Sequence, residues 1–240
     1  MRIWETSGGD YDLKRSFIAV ISIGSVERHG DHLPLGTDVI EASYVAEKIA
    51  ERINADLFPP IWYGSTRAMR KFNGTIDIDP DVLFLYLKNV LKEIARNGYR
   101  YIVVVNGHGG NSDIIRTAAR EVSQEIDTNI IIIDWWRDLA QEDRYKIFKA
   151  PGHAGEDETS VMLYIAPHTV NMSYAKTHIE KPLPLQVYSK KYDSILYPHA
   201  LLGDASSGDP EKGRIWLEKV VEDGVRKIRE IIDSLEKKRS

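Results

Sequence analysis

Phe17 to Ile23, Tyr101 to Val105 and Asn129 to Ile133 are runs of β-branched and aliphatic residues with almost no polar interruption. A strand with one wet face alternates apolar and polar residues, so unbroken runs of this kind belong to strands covered on both faces, as in a parallel sheet between helices. The segments between them supply those helices. Ala42, Val45, Ala46, Ile49 and Ile53 recur at helical spacing and predict a helix over about Val39 to Ile53. Asp79-Pro80 is an N-cap with a first-turn proline, opening a helix that carries Leu83, Leu87, Val90, Leu91 and Ile94 and stops at Gly98. Ile114, Ile115, Ala118, Ala119, Val122 and Ile126 mark a third helix. Asp209-Pro210 starts a last one, striped by Leu217, Val220, Val221, Val225, Ile228, Ile232 and Leu235. The expectation is an α/β fold with a mainly parallel central sheet.

The chain has 240 residues and no linker-like break or repeat, so residues 1–240 are read as a single domain. A formal net charge of −4 without a long basic run argues against a nucleic-acid partner. No apolar stretch approaches the roughly 20 residues needed to cross a bilayer, and Met1 to Asp10 lack an apolar signal region, so a cytoplasmic protein without a membrane partner is expected. The absence of cysteine excludes disulfides, thiolate metal sites and a cysteine nucleophile.

Two of the apolar runs end in segments rich in metal-type side chains: Glu27-Arg28-His29-Gly30-Asp31-His32 through Thr37-Asp38 after the first, and Asn106-Gly107-His108-Gly109-Gly110-Asn111 after the second. Carboxylates and imidazoles from several segments are what a divalent cation of intermediate hardness takes, so Glu27, His29, Asp38 and His108 form a candidate ligand set. Glu27 and His29 project to one side of an extended segment. Asp38 opens a helix, where an isolated Asp is most often an N-cap, but its place at the end of a loop already holding Glu27 and His29 favours ligation, and a carboxylate between two cations can bridge them. Gly109 and Gly110 let the backbone approach a ligand closely at a helix N-terminus, but the segment fits neither G-x-G-x-x-G nor a P-loop. A third segment, His153-Ala154-Gly155-Glu156-Asp157-Glu158, reads either as a solvated helix start with its acidic residues on the helix dipole or as catalytic. In the second reading His153 transfers a proton and Glu158 reaches a metal or its water. His32 is read as hydrogen-bonding a ligand or the loop. His168, His178 and His199, in the irregular stretch 166–208 with Pro167, Pro182, Pro184 and Pro198, are read as structural or exposed. That stretch is a lid, an oligomer contact or a plain surface excursion.

Taken together, these segments, with Phe72-Asn73-Gly74-Thr75 and Gly203-Asp204, resemble the creatininase family of metal-dependent amidohydrolases over most of the chain. The resemblance implies a three-layer α/β/α fold, two divalent metal ions (Zn, Mn or Fe), hydrolysis of a C–N bond in a small amide or cyclic amide by metal-activated water, and a homo-oligomer, often a hexamer. It implies that Glu27 and His108 hold one metal, His29 the other, that Asp38 bridges them and that His153 transfers the proton. Substrate contacts are expected from Gly109, Gly110, Asn111 and Thr75. Creatininase has a Glu two positions after the His of the Asn-Gly-His motif, where this chain has Gly110, which leaves the second site to Glu158 or to water. Arg67 and Arg70 precede the Phe72–Thr75 segment and either bind an anionic substrate or solvate a loop. Alternative readings are a formamide deformylase acting on a formamidopyrimidine nucleotide in flavin or deazaflavin synthesis, a family peptidase, and a noncatalytic metal-binding module.

Overall fold

A computed structural model describes residues 1–181 and 183–238. The elements that position the site are α1 (Gly8–Lys14), β1 (Ile18–Ile23), α2 (Thr37–Ile53), β2 (Asp56–Leu57), α3 (Pro80–Arg96), β3 (Tyr101–Asn106), α4 (Ser112–Glu125) and β4 (Asn129–Asp134). They are followed by α5 (Trp135–Asp138), α6 (Gln141–Ile147), α7 (Glu156–Ile165), β5 (Thr177–His178), α8 (Lys190–Leu196), β6 (Gly203–Asp204) and α9 (Pro210–Lys237).

The central sheet is parallel, in the order β2-β1-β3-β4, with Ile18 to Ile23 in register against Tyr101 to Asn106, and Tyr101 to Asn106 against Asn129 to Asp134. Every residue of β1 and β3 is buried, as their unbroken apolar runs require. On one face Val20, Val103 and Val105 pack with Val45 and Ile49 of α2 and with Leu217, Val221 and Ile228 of α9. On the other, Ile21, Ile102 and Val104 pack with Leu83, Leu87 and Leu91 of α3 and with Ile115 and Val122 of α4. The result is the expected three-layer α/β/α arrangement. Burying each such aliphatic side chain is worth roughly 1.5–3 kcal/mol, which makes these two interfaces the main source of stability.

Several boundaries differ from the sequence reading. Helix α2 begins at Thr37, not Val39, and its N-cap is Gly36, with no side-chain cap. The edge strand β2 and the two-residue antiparallel pair β5–β6 carry no run long enough to read as strands. Within the irregular stretch 166–208 lies α8, whose Ser189 caps the Tyr192 N–H; Pro182 of that stretch lies outside the described residues. Among the described residues no helix is long and apolar enough to cross a membrane.

The strand order turns one way from β1 to β2 and the other way from β3 to β4. The loops leaving the carboxyl ends of β1 and β3 therefore separate and open a crevice, the usual site of chemistry in open α/β sheets. Both apolar runs that end in metal-type residues end there.

Candidate metal centre

From the carboxyl end of β1 the chain runs without regular structure through residues 24–29 and turns at Gly30, whose φ of +58° is in the left-handed region. This brings Glu27 and His29 back toward the start of α2. From the end of β3, Gly107 lets the next loop lie against α2, since a Cβ there would sit 2.2 Å from the Asp38 carbonyl oxygen. His108 thus reaches the same carboxylates from the other side.

The side chains converge around Asp38. Its Oδ1 lies 3.0 Å from His29 Nε2, and its Oδ2 lies 3.0 Å from His108 Nδ1 and accepts the Ser25 hydroxyl at 2.6 Å. Glu27 Oε1 stands 3.3 Å from His108 Nδ1 and 3.7 Å from His153 Nδ1, while Glu158 Oε2 stands 3.7 Å from His29 Nε2. Asp38 makes no capping bond, so the N-cap reading of this residue gives way: the helix starts earlier, and its first turn delivers the carboxylate sideways into the crevice.

Each imidazole is held by a backbone carbonyl. His29 Nδ1–H donates to Glu27 O at 3.1 Å, His108 Nε2–H to Ser65 O at 2.9 Å and His153 Nε2–H to Arg28 O at 3.0 Å. The second nitrogen of each ring is thereby aimed at the carboxylates, the arrangement in which an outer hydrogen bond sets the tautomer of a ligating histidine. Glu27 Oε2 is buried without a hydrogen-bond partner among the described residues, which costs free energy unless a positive group meets it. Donor atoms of Glu27, Asp38 and His108, of His29, Asp38 and Glu158, and of Glu27, His29 and His153 lie close enough within each trio to share one cation. The residues therefore fit divalent metal.

The charges follow from this crowding. Burial pulls the His29 pKa down, but the carboxylates of Asp38, Glu158 and Glu27 outweigh it and raise it to about 10; His108 is likewise raised, by Glu27 and Asp38 against burial. Asp38 is held well below the usual carboxylate range, because His29 and His108 outweigh its burial. Glu158 is pushed up to about 8 by burial, with His29 opposing and Asp157 and Asp38 adding to the rise. His153 is lowered to about 4 by burial and by the neighbouring His29. Its ring is neutral at pH 7, with the bare Nδ1 toward the centre.

The acidic start of α7 is not solvated. Asp157 is buried in a pair with Arg144 (2.5 Å) and accepts the Gly152 N–H, and Glu156 accepts the Lys149 and Ala150 N–H groups and pairs with Lys212. These two anchor the turn, and Glu158 alone of the three turns to the centre, held by the Ala154 N–H at 2.6 Å. His32 is buried, and its Nε2 lies 2.8 Å from the Thr159 hydroxyl, one residue beyond Glu158.

The expected substrate contacts divide. Gly109 and Gly110 lie exposed beside His108, and a Cβ on Gly110 would meet Ser65 O at 2.1 Å, so no larger side chain fits this backbone at the position where creatininase has Glu. Thr75 accepts the Arg28 N–H through its hydroxyl. Asn111 is corrected: it is buried, its amide donates to Gly24 O and accepts from Ser65 N–H, and it ties two loops together with nothing left for a substrate. Arg67 is paired with Asp77 and Asp79, whereas Arg70 is exposed beside Lys71 on that loop.

Sequence reasoning missed four contributors. Ser25 orients Asp38, a link that only folding reveals. Glu41, one turn beyond Asp38 on α2 and so visible by spacing, is buried, and its carboxyl is pushed well above the usual range by burial and by Glu158 and Asp38. Asp134 at the end of β4 accepts from the Asn106 amide at 2.7 Å, and that amide grips both the N–H and the C=O of His108. Tyr197 packs edge-on against His153, with ring centres 5.5 Å apart.

Residues 6–228 match the family model described as Creatininase: Creatinine amidohydrolase. The chain is 30% identical over 223 residues to the mycofactocin precursor peptide peptidase of Mycobacterium ulcerans (strain Agy99), covering 87% of this chain and 83% of that one. It is 33% identical over 160 residues to the 2-amino-5-formylamino-6-ribosylaminopyrimidin-4(3H)-one 5'-monophosphate deformylase of Methanothermobacter marburgensis, covering 64% of this chain and 60% of that one. A creatininase solved as its Mn form superposes with a TM-score of 0.86 at 25% identity, over 95% of this chain and 97% of the other.

Proposed function

The chain belongs to the creatininase family of hydrolases, and on that premise we propose that its centre hydrolyses the C–N bond of a small amide or cyclic amide with two divalent cations, Zn, Mn or Fe. One observation carries the reading: Asp38 sits in two ligand trios at once, and the imidazoles of both trios are pinned by backbone carbonyls with their second nitrogens turned inward. Glu27, Asp38 and His108 would hold one cation and His29, Asp38 and Glu158 the other. Bound there, the cations supply Lewis acidity and acidify water at neutral pH.

The chain's own contribution is orientation and proton transfer. His153, neutral and fixed in one tautomer by the Arg28 carbonyl, takes a proton at Nδ1 from the attacking water and gives it to the departing nitrogen. Glu158 carries the carboxylate that the Gly110 position cannot supply. Ser25 and the Ala154 N–H hold the carboxylates of Asp38 and Glu158 at the crevice.

The test is a panel of creatinine, formamides and small cyclic amides offered to the protein loaded with Mn, Zn or Fe. Turnover that disappears with a chelator and returns with metal supports the reading, and preference for a formamide would move the substrate to the deformylase class. Metal binding with no turnover of any amide would leave a binding module. The reading includes a homo-oligomer, supported by large apolar side chains standing exposed at Val82, Leu85, Tyr86, Leu185 and Tyr188; light scattering that gives a monomer would remove that part.

A further inference from the structure

The side chains of the centre are rich in acceptors and short of uncommitted donors. Glu27, Asp38 and Glu158 accept, the outer N–H of each histidine is spent on a backbone carbonyl, and the Ser25 proton goes to Asp38. A carbonyl oxygen that gains charge during hydrolysis is stabilised by donors aimed at it beforehand.

Tyr197 supplies such a donor. Its ring stands edge-on to His153 at an interplanar angle of 80°, and its hydroxyl has no hydrogen-bond partner among the described residues. The ring it packs on is at the centre, since His153 Nδ1 stands 3.7 Å from Glu27 Oε1, and burial, with Glu27, Asp193 and Glu158 adding to it, pushes the Tyr197 phenol up and so keeps its proton. A tyrosine is in any case a protonated donor at neutral pH. Its placement is not left to a loose loop. Tyr197 N–H closes α8 on Asp193 O at 2.9 Å, its carbonyl accepts from Ala200 N–H at 3.3 Å, and Ala200 O accepts from Gly30 N–H at 2.7 Å, one residue from His29. On the far side Lys71 Nζ donates to Ser194 Oγ at 3.0 Å, tying α8 to the loop that ends in Thr75. Helix α8 is therefore strapped between the two loops that flank the centre.

We propose that the Tyr197 hydroxyl is a catalytic donor of this centre, contacting the carbonyl oxygen of the scissile amide as it becomes anionic. The inference rests on the amide-hydrolysis reading above and adds a residue to it.

Tyr197→Phe keeps the ring on His153 and removes only the hydroxyl. Acetohydroxamate, which presents an anionic carbonyl-type oxygen, is the probe, titrated calorimetrically into Mn-loaded intact protein and variant. The variant is expected to keep two Mn per chain and to bind the probe about 10- to 100-fold more weakly. With whichever amide is turned over, kcat should fall roughly 10²–10³-fold with KM little changed. A variant that binds the probe as tightly as the intact protein overturns the inference and leaves the amide-hydrolysis reading standing. Failure of the intact, loaded protein to bind the probe overturns that reading and this inference with it.

Discussion

The two halves of the centre are built differently. Glu27, His29, Asp38 and His108 come from the ends of β1 and β3 and the first turn of α2, whereas His153, Glu158 and Tyr197 come from a turn, a short helix and the strap around α8. His29 and Asp38 have side chains 0% and 4% exposed, against 15% and 17% for His153 and Glu158, with His108, at 13%, on the border between the two. Strand ends inside a parallel sheet are rigid and dry, so the cost of gathering charge there is met by the core around them. The other half is more open to solvent, which suits groups that must meet a substrate. On the proposed reading the labour divides unevenly: the sheet-borne half would give Glu27, His29, Asp38 and His108 to the cations, and the α7–α8 half would add Glu158 to them and bring His153 and Tyr197 to the substrate.

The largest effect should come from the one side chain shared by both trios. Asp38→Ala is expected to take metal content, measured by plasma emission on purified protein, from two ions per chain to near none, whereas Glu158→Ala loses one and retains the other. Equal losses in the two variants would break the comparison. Next, His153→Ala should keep both ions and lose roughly 10²–10⁴ in rate toward the amide that is turned over. Because Glu27, His29 and His153 also lie close enough to share a cation, a variant that lost metal would move His153 into the cation-holding half.

What was legible before folding follows the same division. Glu27, His29 and His108 stand within a few residues of apolar runs that read as strands, so strand identity places them at one sheet end. The parallel sheet and its covering helices were legible for the same reason. Asp38 reads as a ligand and not a cap from its place at the end of a loop already holding Glu27 and His29, whereas the helix start at Thr37, which leaves it free of capping, shows only on folding. The edge strand at Asp56–Leu57 and the pair at Thr177–His178 and Gly203–Asp204 are too short to carry a period. Tyr197 and Asp134 were invisible: one meets the centre across a stretch with no periodicity, the other acts through Asn106 of a neighbouring strand.

Asp134 offers a finer cut within the sheet-borne half. Its Oδ1 accepts from Asn106 and Ser112, and its Oδ2 from Arg116 and Arg137, so it fixes which way the Asn106 amide faces and thereby the backbone of His108. Asp134→Ala is expected to weaken the cation held by Glu27, Asp38 and His108 by about 10- to 100-fold, as loss of an outer hydrogen bond to a ligand does, and to leave the His29 site unchanged. Competition with a fluorescent chelator would resolve the two affinities. A uniform loss at both sites would mean that Asp134 supports the sheet end as a whole.

The mildest test is pH. In the metal-free protein His29 is raised from 6.5 to about 10 and Glu158 from 4.5 to about 8, so both bind protons more tightly folded than unfolded. Stability from such groups is fully present below the unfolded pKa and is lost as pH rises through the folded one. The window is therefore pH 4.5 to 8 for Glu158 and 6.5 to about 10 for His29, and in both the metal-free protein loses stability as pH rises. His153, lowered to about 4, acts in the opposite sense, contributing stability above 6.5 that is lost as pH falls through 4, and so does not cancel the trend above neutrality. Cations replace these protons, so the loaded protein should not follow. Thermal melts from pH 6.5 to 10 are expected to show the metal-free Tm falling by roughly 2–4 °C for each kcal/mol lost, while the loaded Tm stays level or rises. Parallel curves would mean that the protons of His29 and Glu158 do not stand where the cations bind, and the sheet-borne half would lose its claim to hold them.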